Sequence, residues 1–137
     1  MQKESVFKMY FTVTSDTNAF DSDLLETGFS EIPTIRRKGD RLANNQIVRI
    51  NQICFIRENI SGTSLVDSFH NFVDFLEMNQ PTIQVCLAVE GASASLDIVG
   101  DFIVNSPRPT FFFSARAIKV LASLNCNFNI EIYSTLE

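Results

Sequence analysis

Apolar and polar residues alternate through positions 5–14. Phe7, Met9, Phe11 and Val13 fall on one side, with Lys8, Tyr10, Thr12 and Thr14 on the other. A period of two marks a strand with one buried face. Turn-forming residues follow at 15–18. Asp21 or Ser22 then stands as N-cap to a short helix carrying Leu24 and Leu25, and Gly28 suits its stop. Pro33 and positions 34–41 read as an extended piece followed by a loop. Positions 46–57 are strand-like with mixed faces: Val48, Ile50, Cys54 and Ile56 share one parity, Ile53 and Phe55 the other. A strand inside the sheet, or covered on both sides, fits that mixture.

The period then changes to that of a helix. Leu65, Val66, Phe69, Phe72, Val73 and Leu76 form a broad apolar stripe, with Asp67, Asn71, Asp74 and Glu77 opposite. Several N-cap residues precede it at 61–64, and Pro81 lies just beyond its expected end at Met78. Positions 82–90 alternate again, with Ile83, Val85, Leu87 and Val89 expected inside and Gln84, Cys86 and Ala88 outside, which predicts a strand. Positions 91–95 read as a Gly/Ser loop and 96–104 as a further strand. Pro107 and Pro109 predict an extended turn. Phe111, Phe112 and Phe113 lead into a third helix capped by Ser114, with Ala117, Ile118, Leu121 and Leu124 inward and Asn125 as its stop. At least one of the three Phe rings is expected on a poorly covered face, with burial the commoner fate of Phe. Positions 126–133 alternate and close the sheet, with Phe128, Ile130 and Ile132 on one side. The expected fold is α+β: a mainly antiparallel sheet with two or three helices packed on one face, in ferredoxin-like layering. The 137 residues, 45% of them apolar and 13 of them Phe, suffice for one domain, 1–137, with a real core.

Charge narrows the function. The net charge of -5 and pI near 4.8 disfavour phosphate backbones and anionic lipid, so neither nucleic acid nor membrane is the expected partner. No apolar run approaches the length of a membrane span. The first residues, MQKESVFKMY, show no apolar targeting core. Cys54, Cys86 and Cys126 are odd in number and widely spaced, which points to free buried thiols in a reducing, cytoplasmic setting rather than to zinc or a disulfide framework.

The alternating first strand, the segment DSDLLETGF, the run IPTIRRKGDR and the ending AIKVLASLNCNFNIEIY together resemble the bacterial "domain of unknown function 4279" family. The most specific matches are Arg37, Lys38, Gly39 and Asp40, and the closing Ile130, Glu131, Ile132 and Tyr133. Members of that family often carry a Trp after the Gly-Asp loop, where this chain has Ile53 or Phe55. The resemblance implies a small bacterial α+β domain and no assigned activity. By fold-level analogy, small bacterial domains of this kind sometimes serve as immunity proteins beside toxins.

Candidate chemistry is sparse. His70, the only histidine, has no evident nucleophile beside it, and a packing or surface role is expected. Asp67 and Asp74 lie at helical spacing from it, but carboxylates so placed usually form a solvated face. No cofactor, no metal and no catalysis are expected. The basic run is the strongest anomaly: Arg36, Arg37, Lys38, Arg41, Arg49 and Arg57 lie within 36–57, which carries net +5 in an acidic chain. These cations either hold an anion or pair with the acidic remainder. Gly39 is expected to need positive φ in a turn, since RKGDR lacks phosphate-loop spacing. Asp21, Asp23, Glu26 and Glu31 form an acidic cluster suited to a basic protein partner. The leading expectation is a non-enzymatic protein-binding domain, an immunity protein that neutralises a cognate basic toxin such as a nuclease. The alternative is a small-anion module using Arg36, Arg37, Lys38 and Arg41. A homo-oligomer through the Phe run or an edge strand is a third reading.

Overall fold

The computed structural model describes residues 5–103 and 111–135. Five strands form one mixed sheet: β1 (Val6–Ser15), β2 (Thr34–Arg36), β3 (Asn51–Ser61), β4 (Ser93–Ile103) and β5 (Asn127–Thr135). Among the described residues four α-helices accompany them: α1 (Ser22–Thr27), α2 (Leu65–Met78), α3 (Gln80–Leu87) and α4 (Ala115–Ser123), with a 3-10 turn at Gly62–Ser64 leading into α2. The spatial order is β2-β3-β1-β4-β5. The pairs β2/β3, β3/β1 and β1/β4 are antiparallel, which is the arrangement of a ferredoxin-like βαββαβ unit. The helix α4 crosses over to add β5 parallel to β4.

The alternation of β1 sets the layers. Phe7, Met9, Phe11 and Val13 are fully buried and join one core cluster with Ile53, Phe55, Leu96 and Ile98. Leu25, Phe69, Phe72, Leu76, Ile83, Ala117 and Leu121, from all four helices, belong to the same cluster. The other side of the sheet shows Tyr10, Thr12, Thr14, Gln52, Ser95 and Asp97, all half-buried. The mixed parity arises because Val48 and Ile50 precede β3 while Cys54 and Ile56 lie on the face opposite Ile53 and Phe55; a bulge then shifts the phase of its last residues. Phe7 faces Ile60 while Met9 faces Arg57, so one extra residue is inserted, and Asn59 adopts φ 57° there. Ile53 and Phe55 before the bulge, and Ile60 after it, therefore face the same core.

Gly100 sits opposite Phe7 on β4. The Phe7 ring lies where a Cβ at position 100 would be, so only glycine fits.

Ile118, expected inward on α4, is 55% exposed, and the strand expected over 46–57 is β3 at Asn51–Ser61. Two further expectations are corrected. Residues 80–87 form a helix, not a strand: Ile83 and Cys86 are buried, three positions apart, while Val85 is 55% exposed. The alternation of Ile83, Val85 and Leu87 mimics a strand, but Pro81 stands in the first turn of a helix, where its missing N–H costs nothing. Asn79 makes the junction possible. It is buried between α2 and α3, accepts from the Ser30 N–H at 2.8 Å, and donates to Ser30 Oγ and to the Phe75 carbonyl, each at 2.9 Å. The second correction is that β4 begins at Ser93 inside the supposed loop, because the small Ala94 already points into the core. The turn expected at Pro107 and Pro109 lies outside the described residues.

Candidate functional site

The basic run is an ordered hairpin between β2 and β3. Gly39 donates to the Val48 carbonyl at 2.9 Å, Val48 donates to Asp40 at 2.8 Å, and Leu42 donates to Gln46 at 2.8 Å. Arg41 and Ile47 form an antiparallel bridge. Gly39 turns the chain at φ 95°, as its sequence context predicts, and Asn45 closes the tip at φ 65°. Two side chains fix the base of the hairpin. Buried Asn51 accepts from the Lys38 backbone N–H at 2.9 Å, and Lys38 Nζ donates to the Asp16 carbonyl at 3.0 Å.

This hairpin displays Arg37, Lys38, Arg41 and Arg49, all exposed. Arg36 precedes it on β2, beside Gln52 and Cys54 on the uncovered side of the sheet. Among the described residues, Arg36, Arg41 and Arg49 form no ion pair. Arg57 is the exception in the run. It binds Glu31 through both guanidinium nitrogens, at 2.6 and 3.1 Å, and lies 4.7 Å over the Phe72 ring and 4.9 Å over Phe75. Pairing with the acidic remainder thus holds for Arg57 and not for Arg36, Arg41 or Arg49.

The acidic cluster is divided in the same way. Glu31 is engaged by Arg57. Asp21 caps α1 by accepting from the Leu24 N–H at 3.1 Å, as its position predicts. Asp21, Asp23 and Glu26 are exposed and, among the described residues, make no ion pair. On α2 and α4, Arg116 binds Asp74 at 2.6 Å and Glu77 at 2.7 Å. The hydrogen bond from Arg116 holds the Glu77 carboxyl below its ordinary pKa.

His70 is half-buried and committed at both nitrogens. Nδ1 donates to the Val66 carbonyl at 2.9 Å, and Nε2 accepts from the Ser114 N–H at 3.3 Å. A carbonyl can only accept, which assigns the proton to Nδ1. His70 thereby anchors the Phe111, Phe112 and Phe113 segment ahead of α4. Phe111 packs against the core, while Phe112 is 55% and Phe113 38% exposed. Burial raises all three thiols, Cys86 to about 11 and Cys126 to about 12, so none is a ready nucleophile. Among the described residues no group of three His, Cys, Asp or Glu is placed to hold a metal ion, and no helix is long and apolar enough to cross a membrane.

Sequence reasoning located the cations but not what braces them. Asn51 and Asp16 reach the hairpin from β3 and the β1 turn, and nothing in their local sequence announces the contact. No protein-family model, curated protein or solved structure matches the chain.

Proposed function

We propose that the chain is a non-enzymatic protein-binding domain whose acidic surface meets a basic partner. The carrying observation is the set of uncompensated carboxylates on α1: Asp21, Asp23 and Glu26 are exposed and unpaired among the described residues, on an acidic chain. Unpaired surface charge of one sign accelerates encounter with a partner of the other sign. The partner is a toxin, a nuclease whose own substrate-binding face is basic, and the chain neutralises it in the bacterial cytoplasm as an immunity protein. Glu31 supports this surface indirectly, since it holds Arg57 and is not itself available. The resemblance to the domain of unknown function 4279 family assigns no chemistry and leaves the reading to charge and geometry. The test is a pull-down against the product of the adjacent gene. A complex weakened by Asp23→Lys with Glu26→Lys is the expected result, and no complex removes the reading.

A second reading is favoured by the hairpin. Arg36, Arg41 and Arg49, with Arg37 and Lys38 beside them, are held on a hydrogen-bonded frame and suit a phosphate or carboxylate ligand. A thermal-shift screen with inorganic phosphate, nucleotides and dicarboxylic acids tests it, because a ligand of the native state raises its melting temperature. A flat screen removes it.

A further inference from the structure

The two edges of the sheet are unequal. β2 is three residues long, preceded by Pro33 and followed by the basic hairpin, all of which discourage pairing. β5 is nine residues long and, among the described residues, pairs with β4 on one side only. From Asn127 to Thr135 it holds no Pro, no Lys and no Gly, and one charge, Glu131. Ile130 is 45% exposed and Ile132 51%, both on the helix side, with Tyr133 57% exposed on the other. An edge that is long, largely uncharged and flanked by exposed Ile is a template for another strand.

We infer that the added strand is β5 of a second copy, paired antiparallel about a two-fold axis at Ile130. The sequence is self-complementary in that register and on both faces. On the helix side Ile130 meets its own copy, and Phe128 meets the copy's Ile132. On the other side Asn129 meets the copy's Glu131, and Asn127 meets the copy's Tyr133. Like therefore meets like in polarity at every step, as an isologous interface requires. An axis one residue later places Glu131 against Glu131, and one at Ile132 places Ile130 against Ser134, so neither competes. The contact lies at the opposite edge of the sheet from β2 and the hairpin that follows it, and does not rest on the function proposed above. Each copy carries net charge -5, so screening by salt favours the dimer.

Light scattering and sedimentation of the intact chain test the inference. The expected result is a dimer that tightens with added salt. Ile130→Lys sets two ammonium groups against each other at the axis and converts it to a monomer with an unchanged far-UV spectrum. Should that variant unfold, Ile130→Cys still decides, since facing Cβ atoms lie close enough to form an intermolecular disulfide on oxidation. A wild-type monomer at high concentration overturns the inference. So does a dimer that Ile130→Lys leaves intact, or an Ile130→Cys variant that stays uncrosslinked.

Discussion

One methyl group at position 100 would collide with the Phe7 ring, which makes Gly100 a packing residue rather than a hinge. Both lie in the interior of the sheet, where neither strand can move aside. Gly100→Ala is expected to destabilise by about 1–3 kcal/mol, the usual cost of overpacking, read from the urea midpoint. A midpoint unchanged from the parent would show that the ring has room. The thiols give a second residue-level outcome. Burial raises Cys86 from the ordinary 9.0 to about 11 and Cys126 to about 12, and an unfolded thiol gives up its proton first. Stability is thus full below about pH 9 and declines as pH rises towards the folded values. Urea midpoints at about pH 8 and about pH 10 should differ in that sense, and Cys86→Ala should reduce the difference without removing it, since Cys126 still contributes. Free buried thiols were expected from the sequence, and Cys54 and Cys86 are free and buried; the Gly100 contact was not legible. Gly100 and Phe7 lie 93 positions apart and meet only through the β1/β4 register.

Elements were legible where one period dominated. β1, α2 and α4 follow their apolar spacing because each buries a single face, and β5 keeps its period of two although Ile130 and Ile132 stay exposed. The helix α3 did not, because Ile83, Val85 and Leu87 alternate through a segment only eight residues long. Too few turns pass for a period of 3.6 to separate itself from a period of 2. The two readings differ most at Val85. In a helix it faces solvent, so Val85→Lys should change stability by no more than about 0.5 kcal/mol. Ile83→Ala, by contrast, removes a fully buried side chain and should cost about 2–5 kcal/mol. Large losses from both substitutions would restore the strand. The basic hairpin was half legible. Its charges and the turn at Gly39 stand in the sequence, whereas its frame depends on Asn51 and on carbonyls that any residue type could supply. The Glu31–Arg57 pair was hidden for the same reason. Arg57 shares the face of Ile53 and Phe55 and lies across Phe72 and Phe75, and only the packing of β3 against α2 shows that contact.

At the scale of the molecule, charge is segregated. The stretch 36–57 is basic within a chain of net charge -5, and most of its cations project from the hairpin at the β2 edge. Such a molecule has two electrostatically distinct surfaces for meeting others, the α1 carboxylates and the hairpin cations. Among the described residues His70 is engaged by Val66 and Ser114, and burial raises the Cys86 and Cys126 thiols. The role proposed above is contact, and its central claim is that the contact is with a basic protein. Isothermal titration of the chain with the adjacent gene's product, at low and at physiological salt, tests it most directly. A saturable complex is expected, weakened by salt and weakened again by Asp23→Lys with Glu26→Lys. No heat of binding at either salt concentration, or a complex indifferent to both salt and charge reversal, would contradict it.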